Sequence, residues 1–470
     1  MKDWPKIILV IYLFYIGSFL NNPMSNSIVD LTIAMVDDHS FEITPYSDNR
    51  VYVSIKDGKF YSGMPPGLSL MSTPIYLGVK ILTVAIPDNT YQKINEKLKA
   101  SLDHHQSEID LNQKRFEVLL TCFLIILAFN IPLAWFCYVL LEKEINHLGV
   151  PQFTLPMFFL MTPLAFYIPQ NFHTTISVLL LFISFLLIQS KLKTKYKPLL
   201  VGLFLGLVPT LDYPAITYSM VLMSLFVTSH RKDFRSLIQM ILAFSVPVIL
   251  MLIYHKITFG QFLTTSYNWH APRGGFIQIT EEVSRIGIKT FMFSFEKMRE
   301  RMIDPMSGLL FNNVLVIAVL IRAVFSLKRM RLLHFDIWAC LIIILGNIYY
   351  YFSLPQSTGT TIGAFGARYC LYAVPFAFWL WLKLDSMSRP MNKTLITLSA
   401  FTMIYYFPFW SYGSQVKNLE IAFSLFRDLG PSNYLITKAS QAGLMPLPYA
   451  GWIFSSGLAV LLIIFSRKKV

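Results

Sequence analysis

A chain of 470 residues that is 54% hydrophobic, 15% aromatic and only 14% charged lies far from the balance of a soluble globular protein. Its formal net charge of +14 does not require nucleic acid, because much of the excess sits in short basic connections that anionic lipid headgroups can neutralise. Composition thus excludes a soluble enzyme and a nucleic-acid-binding protein, and leaves an integral membrane protein with many crossings.

Apolar runs of about 17 to 25 residues recur along the whole chain, each long enough as a helix to cross a hydrocarbon core about 30 Å thick. Lipid cannot satisfy backbone polar groups, so these runs are read as helices and the fold as all-α and polytopic. In chain order the expected spans are 6–21, 116–141, 152–169, 174–190, 198–212, 214–229, 236–255, 308–327, 335–352, 368–385, 393–411 and 449–465, about twelve in all. The first run, KIILVIYLFYIGSFL, is followed by NNPMSNS instead of a small-residue cleavage site and is read as a signal anchor.

The run from Pro66 to Ile86 is ambiguous, since it carries Pro66, Pro74 and a central Lys80. If it does not cross, the basic connections SKLKTKYK, SHRKDFR, SLKRMR and SMSRPMNK and the tail SRKKV all fall on one face, which the positive-inside rule makes cytoplasmic. Residues 66–86 are therefore expected as a juxtamembrane or re-entrant helix, with both termini cytoplasmic. The chain then divides into an anchor (1–21), a first outer loop (22–115), a helical bundle (116–255), a central outer loop (256–306), a second bundle (307–411), a further outer loop (412–448) and a last span with a basic tail (449–470). Long connections of this kind are usually functional. The cysteines Cys122, Cys137, Cys340 and Cys370 fall in or beside spans and form no metal-binding or disulfide pattern. No cofactor or divalent metal is indicated.

The first outer loop contains DGKFYSGMPPG, Asp57 to Gly67. Asp57-Gly58 is a turn signal, and Pro65-Pro66 bars helix until Gly67, which makes a rigid elbow at the outer surface. Farther on, Phe259-Gly260 with Thr264 to Tyr267 leads to DPMSGLLF at Asp304 to Phe311, and GAFGARYCLYAVPF runs from Gly363 to Phe376. These three segments, in this order on one topology, resemble the outer loops of the GT-C superfamily, in its bacterial mannosyltransferase-like or aminoarabinose-transferase-like branch. Members of that superfamily are polytopic glycosyltransferases that take sugars from polyprenyl-phosphate carriers. The resemblance runs from Asn21 to Phe376 through loose motifs.

The resemblance implies an inverting transfer from a polyprenyl-phosphate-linked sugar to an acceptor glycan, lipid or protein. A loop carboxylate would act as general base and Arg or Lys would stabilise the departing phosphate. Related enzymes carry an Asp directly after the first span, where this chain has Asn21, Asn22, Pro23, Met24, Ser25 and Asn26. Asp30 is accordingly the first choice of base, Asp48 the second and Asp57 the third. Arg368, preceded by Gly359, Gly363 and Gly366, is the expected phosphate contact. Tyr61, Pro65, Pro66, Gly67 and Asp57 are expected along the carrier or substrate, and His270 and Arg273 beside the sugar.

Other residues carry plainer readings. The His104-His105 pair points in two directions on a charged helix, and Asp212 in VPTLDYPAI reads as a turn residue before Pro214. The rival function, a lipid or lipid-linked-sugar transporter or flippase, predicts ionisable groups within spans and an internal repeat. The spans hold almost no charge beyond their ends, and no repeat relates the two halves.

Overall fold

The computed structural model describes residues 4–16, 23–46, 52–102, 115–152, 154–160, 162–190, 195–269, 295–303, 308–330, 335–353 and 368–385. These residues form a mostly helical protein. Among the described residues four helices are, by length and composition, long and apolar enough to cross a membrane: Gly67–Val84, Phe116–Leu148, Phe234–Phe259 and Phe335–Ser353. Shorter apolar helices lie at Trp4–Leu13, His173–Gln189, Lys197–Leu211, Tyr213–Ser229, Val314–Phe325 and Ala373–Leu384. The expected spans at 393–411 and 449–465 lie outside the described residues, so the expected twelve are not all on view.

Several expectations need correction. Helix α1, Trp4–Tyr15, covers the first part of the expected 6–21 span, whose residues 17–21 lie outside the described residues, and a second helix, α2, Pro23–Asp37, stands where loop was expected. The single span expected at 152–169 is two short helices, Thr154–Leu160 and Pro163–Tyr167, because Pro163 cannot continue the ladder begun before it. The fold is also not purely α. Strands β1 (Val53–Lys56) and β2 (Lys59–Ser62) form an antiparallel hairpin, closed where Asp57 (φ 52°) and Gly58 (φ 75°) both enter the left-handed region. Two consecutive positive φ angles match the twist of a tight hairpin, which is why Asp-Gly stands there. Helix α3, Gly67–Val84, begins at the Pro-Pro elbow and by length and composition alone belongs with the four.

From Arg115 the chain is helical to Leu148, with a π-helical turn at Ile126–Asn130 between α4 (Arg115–Ile125) and α5 (Ile131–Leu148). The centre of the bundle is the helix His173–Gln189, apolar on nearly every side and buried along nearly its whole length. Against it lies Ala373–Asp385, equally buried, through edge-to-face rings: Phe182 on Phe376 (5.5 Å) and Phe185 on Trp379 (4.8 Å).

Helix α6, Lys197–Leu211, packs on α7, Phe234–Phe259, through a Gly-x-x-x-Gly stripe. A Cβ on Gly202 or Gly206 would collide with the carbonyls of Met240 or Phe244, so the two backbones touch directly. The opposite side of α7 exposes Ile238, Leu242, Val246, Ile249, Ile253 and Ile257, the stripe that a bilayer-crossing helix presents to lipid. Asp233 starts α7, accepting the Ser236 amide, and Gly260 in the left-handed conformation ends it.

The helix contact makes a prediction. Gly206→Val is expected to lower stability by about 1–3 kcal/mol through overpacking. Gly78→Ala, where no atom lies within 4 Å of the added carbon, is expected to cost nothing. Unfolding titrations of the purified protein in mixed micelles compare the two, and equal effects would contradict the packing described.

Candidate functional site

The first loop, the turn after α6 and the segment after α7 meet at one end of the bundle. Ser266, wholly buried in the 3-10 turn Ser266–Trp269, pins them together. Its hydroxyl donates to the Gly63 carbonyl (3.0 Å), and its own carbonyl accepts from Ser54 Oγ on β1 (2.7 Å). The Tyr213 hydroxyl lies 3.5 Å from Ser266 Oγ and 2.9 Å from Nε2 of His255 on α7. Tyr61 on β2 meets Phe259 edge to face at 5.9 Å, and the Lys56 ammonium stands 6.0 Å from the Trp269 ring.

Pro65, Pro66 and Gly67 are buried at the root of α3. A Cβ at Gly67 would lie 2.6 Å from the Thr210 carbonyl oxygen, so glycine is required for α3 to seat on the end of α6. Two residues beyond Thr210, the carbonyl of Asp212 accepts the Ala215 amide (3.0 Å) and closes the turn into the next helix. Its side chain does more: Oδ2 accepts from the Tyr372 hydroxyl at 2.9 Å, and that hydroxyl is also 2.7 Å from Ser177 Oγ. Tyr372 is edged by Tyr218 (5.1 Å between ring centroids), and Tyr213 by Tyr267 (5.3 Å). Burial, followed by the charge of Asp212, holds the Tyr267 hydroxyl well above the ordinary range of a phenol. Asp212 is thus a half-buried carboxylate ringed by tyrosines, not merely a turn residue.

The segment at 368–373 closes the other side. Arg368 opens the 3-10 turn Arg368–Cys370, and Asn347 ties that turn down by donating to the Tyr369 carbonyl (2.8 Å) and accepting the Ala373 amide (3.0 Å). Nearby, the buried Arg301 of the helix Phe295–Ile303 donates to the Tyr351 carbonyl, with its guanidinium 5.2 Å from the Tyr351 ring.

The expected acids fare differently from one another. Asp30 is not a loop residue: it lies inside α2, 6% exposed. It stands three residues from Ser27, whose hydroxyl meets Tyr52 O (2.9 Å) and Ser62 Oγ (3.0 Å), so it occupies the hairpin side of α2. Asp57 is the exposed tip of the hairpin, its side chain 83% exposed and 4.0 Å from Lys56. That position removes it from the buried junction and makes a turn role sufficient. Asp48, His270 and Arg273 lie outside the described residues, as do His104 and His105. Among the described residues no group of three or more His, Cys, Asp or Glu is placed to hold a metal ion.

Tyr213, His255, Ser266, Tyr372 and Arg301 were not singled out by sequence. The lone histidine of the mostly apolar α7 and the Asp-Tyr-Pro tip at 212–214 were the available signals. Compared with protein-family models, curated proteins and solved structures, the chain finds no match.

The hairpin carries its own pH dependence. Glu42, bridged to Tyr61 beside β2, takes a hydrogen bond from Lys59 (2.9 Å), which holds its carboxyl below the ordinary value of 4.5. A carboxyl lowered by folding stabilises the fold above its unfolded value and loses that contribution as pH falls through the folded one. Exchange of the Ile43 amide, bonded to Phe60 O, is expected to accelerate below pH 4.5 after correction for intrinsic rates. Glu42→Gln is expected to abolish the change.

Proposed function

We propose that this protein is a membrane glycosyltransferase that moves a sugar from a polyprenyl-phosphate carrier to an acceptor at the extracytoplasmic face. The observation that carries the reading is the meeting of distant segments around Asp212: the hairpin and its Pro-Pro-Gly root, the Ser266 turn and the Tyr372 segment. Three of these stretches are those whose order resembles the GT-C superfamily. The apolar helices suit a lipid-borne donor, and the basic connections of the sequence suit a cytoplasmic face.

In the proposed reaction a carboxylate removes the acceptor hydroxyl proton as the acceptor oxygen bonds to the anomeric carbon. The anomeric C–O bond breaks with its electron pair leaving on the carrier phosphate. Among the described residues, Asp212 and Asp30 are the carboxylates we put forward as base. Asp212 has the stronger claim because it stands among tyrosines whose aromatic faces suit the C–H surface of a sugar. Arg368 and Arg301 are the guanidinium groups for the phosphate, and any positive charge there acts at the departing oxygen.

Membranes supplied with polyprenyl-phosphate-linked sugars are expected to support transfer. Asp212→Asn is expected to lower kcat by at least about 100-fold, the scale of a lost general base, with Arg368→Ala less severe. Carrier movement across the bilayer without transfer would favour the flippase reading instead. Orientation is read separately. The four native cysteines are buried, so a cysteine placed at Lys59 is expected to label from the outer side and one at Ser190 is not.

A further inference from the structure

The turn before the central helix holds a second polar cluster. Asn130 ends the π-helical turn and is fully buried, and its Nδ2 donates to the carbonyls of Ile168 (2.9 Å) and Gln170 (2.6 Å). Those two carbonyls fix the amide orientation, because turning it over would set oxygen against oxygen. Its Oδ1 is left buried without a partner, as is Gln170 Oε1, and Asn171, 1% exposed, has neither Nδ2 nor Oδ1 paired. The first turn of α2 caps the cluster, with Ser25 Oγ donating to the Asn171 carbonyl at 2.7 Å. Tyr167 and Phe172, edge to face at 5.3 Å, flank it.

Four unpaired buried polar atoms in so short a stretch are costly, about 1–3 kcal/mol for each group left unsatisfied. An apolar turn would avoid that cost, and the unpaired amides are groups that a polar guest would satisfy. π-helical turns inside long helices recur at functional sites. The unpaired set, three acceptor oxygens and one amide nitrogen, carries no positive charge and suits an uncharged ligand better than an anion. A carboxamide offering both Oδ1 and Nδ2 matches two adjacent hydroxyls, one donating and one accepting.

We infer that Asn130, Gln170 and Asn171 bind the vicinal hydroxyls of an uncharged sugar. This rests on the transferase reading for its biological sense but is tested without it. The full chain in nanodiscs is titrated with methyl glycosides of glucose, mannose and galactose, with glucose 6-phosphate and glucosamine as charged comparisons, following intrinsic tryptophan fluorescence and thermal unfolding. At least one neutral glycoside is expected to bind and raise the unfolding temperature, and glucose 6-phosphate is not.

Asn171→Leu, which replaces the unpaired amide by an apolar group of similar size, is expected to weaken that binding about tenfold or more. The unliganded variant is expected to unfold no earlier than the parent. Binding unchanged by Asn171→Leu, no neutral glycoside bound by the parent, or a preference for glucosamine would overturn the inference. A marked loss of stability in unliganded Asn171→Leu would also overturn it, since the amide would then be satisfied within the fold or by bound water. Neutral-sugar binding that depends on Asn171, without any transfer, would keep this site and remove the transferase reading.

Discussion

The junction at the Asp212 end depends on a single buried hydroxyl and carbonyl, those of Ser266. A two-stranded hairpin is marginal by itself in water. Here it is held because Ser266 reaches Gly63 beyond one strand while its carbonyl takes Ser54 on the other, and Tyr213 stands within reach of the same hydroxyl. Without that pin the hairpin would rest on its contacts to α2 through Ser27, to α7 through Tyr61 and to the Glu42–Thr44 segment through Lys59 and Phe60. The glycine at position 67 has a complementary role: it lets the chain leaving the hairpin lie directly on the end of α6, two residues from Asp212.

The helical part follows from the same economy. Two helices, His173–Gln189 and Ala373–Asp385, are buried almost all round and contribute aromatic bulk, while α7 divides cleanly into a packed face and an exposed apolar one. Polar groups are therefore concentrated at the ends. Midway along its length the helix 115–148 departs from α-geometry at the Asn130 turn, where an amide is spent on two carbonyls of another connection.

Legibility in the sequence was uneven, for physical reasons. Long apolar runs announce helices because lipid or a buried core imposes the same demand on every residue, and helices α6 and α7 fall close to their expected places. The Asp57-Gly58 turn was visible, yet its strands were not, because four residues on each side leave too short an alternation to separate from a loop. Pro163 was passed over inside an apolar run, where composition outweighed the backbone break. Asp30 reads as a loop acid since Asn, Pro and Ser precede it, whereas tertiary burial makes that segment helical. Asp212 reads as a turn residue because the turn is local, and its ring of tyrosines comes from segments about 160 residues apart, as Tyr372 illustrates.

The glycine stripe of α6 has a mechanical corollary. With no side chain between Gly206 and the α7 backbone there is no compliant layer to absorb a tilt or a slide. Any change of bilayer thickness that leans α7 must carry α6, and with it Thr210 and Asp212, as one rigid lever.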